Sequence, residues 1–119
     1  METQRIATRL VELCRKAEYG RAQDELYASN AASIEPEGSP WSSATGIQAL
    51  KAKVDKWHEM VKVIHASDVS DPMVAGSFFT VTMAFDLTLQ DGARTQSEEI
   101  AVYEVKDGKV VKEQFFYSI

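Results

Sequence analysis

The 119 residues suffice for one domain and are too few for two. With 45% hydrophobic and 26% charged residues, the chain can bury a core without disulfide or metal staples. Its net charge of −5, with no Lys/Arg cluster interleaved with aromatics, excludes a general phosphate-backbone binder, so no nucleic-acid partner is expected.

The lone Cys14 excludes an intrachain disulfide and reads as a small buried residue on a helix. Glu2, Arg5, Arg9 and Glu12 leave no apolar signal-peptide core at the start. No apolar run approaches the roughly 20 residues that a membrane span needs. The expected setting is the cytoplasm, with no membrane partner. His58 and His65 fall on different elements, and no Cys/His, HExxH, Gly-rich phosphate-loop or GxSxG spacing occurs. Neither a metal site nor a cofactor is expected.

Residues 3–17 carry a helical period, with Ile6, Leu10, Leu13, Cys14 and Ala17 on one face. Gly20 interrupts it, and a shorter second helix turns Tyr19, Ala22 and Leu26 inward and ends near Ser29-Asn30. Ala32–Glu35 is a short strand that Pro36 terminates, because proline has no N–H for the ladder. The loop Glu37–Ser43 holds Trp41, which either closes one end of the core or forms the lip of a pocket. Thr45 and Gln48 fit a capping box for a helix reaching about Met60. Ile47, Leu50, Val54, Trp57 and Val61 form its inward stripe, with Lys51, Lys53, Asp55 and Lys56 mostly off it.

Four strands follow: Val61–Ala66, Phe78–Leu89, Arg94–Lys106 and Lys109–Ser118. Asp68–Pro72, Gln90-Asp91-Gly92 and Asp107-Gly108 are turns between them. The second of these strands alternates cleanly, with Phe79, Val81, Met83, Phe85, Leu87 and Leu89 on one face. Helices segregated from a run of strands predict an α+β fold, and a strand of about 40 Å is long enough to curl around a helix into a cone.

The helix pair, the strand Ala32–Pro36, the Thr45-Gly46 helix start and the ending Glu99–Tyr103, Asp107–Val111 and Phe115–Tyr117 resemble SnoaL-like proteins. These belong to the superfamily named for nuclear transport factor 2, which also contains ketosteroid isomerase, scytalone dehydratase and polyketide cyclases. The resemblance spans nearly the whole chain, read as one SnoaL-like domain over residues 1–119. It implies a cystatin-like α-β barrel, a curved antiparallel or mixed sheet wrapped around the N-terminal helices. It also implies a homodimer through the outer face of the sheet, where Phe116 and the Thr-rich side of the long strand would meet a partner.

Periodicity alone leaves open which face of the last two strands looks inward. The resemblance to ketosteroid isomerase places Ala101 in the cavity, which turns Glu99 and Tyr103 inward, and likewise Glu113, Phe115 and Tyr117. It places the isomerase base at Glu35-Pro36-Glu37, its first-helix tyrosine at Leu13 and its late-strand acid at Ala101. Leu13 and Ala101 cannot donate a hydrogen bond, so that enzyme's oxyanion hole is not reproduced.

The candidate catalytic set is therefore Glu35, His65, Glu99 and Glu113, with Trp41, Trp57, Tyr103, Phe115 and Tyr117 lining a pocket. Desolvation and a second nearby carboxylate raise a carboxyl pKa, and a group tuned near neutrality can shuttle a proton. Glu35 is the base candidate, Glu99 or Glu113 the partner acid, and His65 an alternative shuttle. The expected ligand is a small apolar organic molecule. The expected activity is that of a cofactor-free isomerase, cyclase or hydrolase, or else of a non-catalytic binding or dimerisation module whose inward glutamates are structural.

Overall fold

The computed structural model describes residues 2–119. Two helices, α1 (Glu2–Arg15) and α2 (Tyr19–Leu26), lead into β1 (Tyr27–Ile34). The two-residue β2 (Ala44–Thr45) precedes α3 (Ile47–Met60). The strands β3 (Val61–Val69), β4 (Met73–Ala75), β5 (Phe78–Leu89), β6 (Arg94–Lys106) and β7 (Lys109–Phe116) complete the chain. The sheet runs β2-β1-β7-β6-β5-β3, with β4 added on β5. Only β1 against β7 is parallel, which makes an α+β architecture with a mixed sheet. The sheet curves but does not close, since β2 and β3 remain at its edges. No helix among the described residues is long and apolar enough to cross a membrane.

The apolar stripe of α1 places Ile6, Ala7, Leu10, Val11, Leu13 and Cys14 in the core against the inner face of the sheet. That face supplies Phe79, Val81 and Met83 from β5 and Ala101, Tyr103 and Val105 from β6. Phe79 and Tyr103 are opposite in register, and their rings stack with centroids 4.7 Å apart. Such a pair contributes about 1 kcal/mol beyond its buried area. Arg15 fastens the end of α1 to the sheet by donating to the Val69 carbonyl at 2.9 Å and to Asp71 at 2.9 Å.

The structure departs from the sequence expectations at local signals that tertiary pairing overrides. Helix α1 ends at Arg15, two residues short of the period read over 3–17, and Gly20 does not interrupt the chain but lies inside α2. Glu18 N–H donates to the Leu13 carbonyl and Ala17 N–H to the Cys14 carbonyl, a Schellman arrangement with Ala17 in the left-handed region at φ 56°. Ser29-Asn30 does not end a helix but belongs to β1, where pairing with β7 shifts register between Tyr27 and Ala32. Thr45 is not a cap. Its backbone pairs with Ala32, and Gly46 takes the N-cap position at φ 95°, a conformation that favours glycine. Strand β3 continues to Val69, and the extra hairpin strand β4 follows before β5.

Ala17 bears a Cβ where the left-handed backbone prefers none, a conflict that costs about 1–2 kcal/mol. Replacement Ala17→Gly removes the clash and adds unfolded-state entropy, for a net gain of about 0.5–1 kcal/mol. Thermal melts should show a rise of roughly 2–5 °C for this variant. A lowered melting temperature would contradict the assignment of the strain.

Candidate functional site

A cavity of about 740 Å³ opens between the concave face of the sheet and the helices. Helices α1 and α2 give it Leu10, Cys14, Tyr19 and Gln23, and α3 gives Leu50, Lys53, Val54 and Trp57. The sheet contributes Met83, Phe85 and Leu87 from β5, Glu99 and Tyr103 from β6, and Glu113 and Phe115 from β7. Glu35, Trp41 and Tyr117 stand around it from the segments following β1 and β7. The inward stripe of α3 therefore faces a cavity more than a solid core. Only Leu50 of that helix is fully buried, while Val54 and Trp57 are half-buried.

Strand register explains how the polar groups meet. Ser33 lies opposite Glu113, Glu113 opposite Tyr103, and Tyr103 opposite Phe79, so one row crosses four strands on the inner face. Glu113 is buried, and the Tyr27 hydroxyl donates a short hydrogen bond to it. Burial pushes the Glu113 carboxyl up, against the pull of the Tyr27 and Ser33 hydroxyls and of Lys53. Burial likewise holds the Tyr27 and Tyr103 hydroxyls well above the usual phenol range.

Glu35 is the second fixed carboxylate. Lys53 Nζ lies 2.6 Å from its Oε2, and the Tyr117 hydroxyl donates to its Oε1 at 2.6 Å. Lys53 also donates to Ser33 Oγ at 2.9 Å. Ser39 Oγ stands 2.5 Å from the Tyr117 hydroxyl and accepts from the Trp41 N–H at 3.0 Å. One hydrogen-bonded chain thus runs from the Trp41 loop through Tyr117, Glu35 and Lys53 to Ser33 beside Glu113. Burial and the bond to Glu35 push the Tyr117 hydroxyl up to about 12. Trp41 lies over the rim with Lys56 Nζ 5.3 Å from its ring centroid.

Glu99 differs from both. It lines the cavity opposite Met83 in register, and among the described residues no hydrogen bond or ion pair engages its side chain. Desolvation and the charges of Glu35 and Glu113, partly offset by Lys53, push its carboxyl up to about 7. The thiol of Cys14, on the opposite wall, is pushed up to about 12, first by burial and then by Glu113 and Glu99.

His65 lies outside this constellation, which corrects its candidacy as a shuttle. Ile64 pairs with Leu87 and Ala66 with Asp86, so His65 is the extra residue of a bulge on the edge strand β3. The register also shifts between Val61 and Val63, which pair with Leu89 and Thr88, so these two no longer share a face and the period of two that put His65 with both is broken. The side chain is exposed, and its Nε2 lies 2.6 Å from Thr88 Oγ1. Sequence reasoning missed Lys53, Ser33 and Tyr27. Ser33 and Glu35 share a strand face, and Lys53 stands three residues after Leu50 and four before Trp57. Both spacings signal proximity once a buried carboxylate demands a partner.

A family described as a SnoaL-like domain matches residues 1–117. The chain belongs to this SnoaL-like family. Among solved structures, a candidate SnoaL-like polyketide cyclase of Mesorhizobium loti is 32% identical with a TM-score of 0.87, over 95% of this chain and 97% of that one. A nuclear-transport-factor-2-like protein of Burkholderia thailandensis is 15% identical with a TM-score of 0.82, over 98% and 90% of the two chains. A Xanthomonas campestris protein with a cystatin-like fold is 18% identical with a TM-score of 0.79, over 100% and 92%. A search of curated proteins finds no match. Within the SnoaL-like cone, Leu13 and Ala101 are both fully buried in the core, and neither lines the cavity.

The raised Glu99 carboxyl links the site to stability. Its folded pKa exceeds the unfolded one, so its contribution is present below about pH 4 and is lost as pH rises through about 7. Replacement Glu99→Gln removes this loss. The variant should exceed the wild type by about 1–3 kcal/mol at pH 8 and match it closely at pH 4. Paired thermal melts at the two pH values check this, and a pH-independent difference would contradict the shift.

Proposed function

We propose that this SnoaL-like chain binds a small, largely apolar organic molecule in its cavity and moves a proton on it without a cofactor, as an isomerase, cyclase or hydrolase does. The observation that carries this reading is Glu99, an unengaged carboxyl among aromatic walls whose pKa lies near 7. At neutral pH such a group is present in both protonation states, the condition for accepting and returning a proton within one turnover. Glu35 and Glu113 differ in role. Each is already hydrogen-bonded, and they set the field in which Glu99 titrates. Trp41, Trp57, Tyr103 and Phe115 supply the apolar walls that exclude water around it.

A second reading is that of a non-catalytic binding module. It is favoured by Leu13 and Ala101, which fill with hydrocarbon the positions where ketosteroid isomerase has its proton donors. Carboxyl titration by NMR separates the two. Proton transfer expects the Glu99 midpoint near 7, and a midpoint near 4 would remove the motive for it. For any turnover found, Glu99→Gln should lower kcat by about 10²-fold or more, and His65→Gln should leave it unchanged.

The same reading includes a homodimer through the outer face of the sheet, in the cytoplasm. Ile100 pairs with Phe116 in register, and both are about half exposed, as is Phe78, with relative exposures of 47%, 48% and 47%. Large apolar side chains on an uncovered sheet face favour an apolar partner. Sedimentation should give a dimer that Ile100→Glu converts to a folded monomer. A monomeric wild type would sink this assignment.

A further inference from the structure

We propose that the ligand of this cavity is an organic cation, an amine or ammonium group carried on an aromatic or alkyl body. The inference rests on the reading of the cavity as a ligand site and names the class of molecule it takes. Three inward-facing carboxylates line the space, Glu35, Glu99 and Glu113, against one ammonium, Lys53. That ammonium is not open to a ligand, because Glu35 and Ser33 hold it at 2.6 Å and 2.9 Å. The Tyr117 and Tyr27 hydroxyls are likewise committed, to Glu35 and Glu113. Of the inward carboxylates, one remains free to accept. Among the described residues Glu99 has no hydrogen-bond or ion-pair partner, whereas exposed Glu98, one residue before it, turns to the outer face with Ile100.

The walls fit the same class. Trp57 packs against Tyr19 at 5.4 Å and Phe85 at 5.7 Å between ring centroids, and Phe85 lies diagonally from Glu99 on the neighbouring strand. Aromatic faces attract a cation and accept its apolar body, while a carboxylate ligand would meet uncompensated negative charge. A charge-assisted bond from the ligand N–H to Glu99 would replace the water that the walls exclude. The groups that set the charge of Glu99 are Glu35 and Glu113, with Lys53 opposing them. A bound cation would join Lys53 in holding it ionised.

The test uses three probes of one shape: phenethylamine, 2-phenylethanol and phenylacetate. Binding is read by calorimetry and by fluorescence of Trp41 and Trp57. The amine should bind at least about tenfold tighter than the alcohol at pH 8, and the acid weakest, as one charge-assisted bond implies. The affinity for the amine should rise about tenfold from pH 6 to pH 8, as Glu99 ionises around pH 7. The variant Glu99→Gln, checked for folding by circular dichroism, should lose the preference for the amine and keep the affinity for the alcohol within about twofold. Alcohol binding as tight as amine binding, or acid binding tighter, would overturn the proposal while leaving the cavity as a site for apolar ligands. Binding of none of the three at millimolar concentration would overturn both.

Discussion

Much of the site answers to one constraint: a carboxyl group, Glu113, sits on the concave face of the sheet, where little solvent reaches it. Burying an ionisable group without partners costs several kcal/mol, so the surrounding chain must supply hydrogen bonds or hold the group neutral. The parallel pairing of β1 with β7 brings Ser33 alongside it, and the first residue of β1 brings the Tyr27 hydroxyl. Lys53 reaches in from α3, and because Lys53 is itself poorly exposed, Glu35 must meet it. Tyr117 and Ser39 then fix Glu35 and with it the loop that carries Trp41. The polar network is a sequence of obligations started by one buried carboxyl group.

That network separates two kinds of acid in the same cavity. Glu35 and Glu113 have their hydrogen-bonding capacity engaged by neighbours that cannot move without leaving a buried group unsatisfied. Glu99 has none of these ties and is left to desolvation and to the field of the other two. A pocket that uses two restrained charges to tune a third can adjust its working pH through residues that never touch a ligand. Substitution of Lys53 would be felt at Glu99 through this electrostatic route.

The strands were the most legible part of the sequence, because period-two alternation over Phe78–Leu89 admits a single buried face and Asp107-Gly108 suits a tight hairpin, with both residues at positive φ. The helical stripe of α1 was equally plain. Less legible were the positions where a backbone partner far along the chain decides the conformation. Thr45 carries every mark of a cap and yet pairs with Ala32, and Ser29-Asn30 reads as a turn and yet extends a strand. At the site, Glu35, Glu99 and Glu113 were found from family register and strand parity. Lys53 was overlooked because lysine is ordinarily a solvent residue, and only a buried anion makes it otherwise. His65 was misplaced because two register shifts in β3, between Val61 and Val63 and between Ile64 and Ala66, break parity and leave no compositional mark.

Cys14 gains a use from where it lies. Its thiol sits at 5% exposure on the cavity wall, and burial beside Glu113 and Glu99 pushes its pKa up to about 12, so the reactive thiolate is scarce near neutral pH. Unfolding restores an ordinary thiol and raises its reactivity by orders of magnitude. The chain therefore holds one internal clock, whose alkylation rate reports how often α1 leaves the sheet. A molecule filling the cavity would slow that clock without touching the sulfur, turning occupancy of the cone into a rate measured at a single atom.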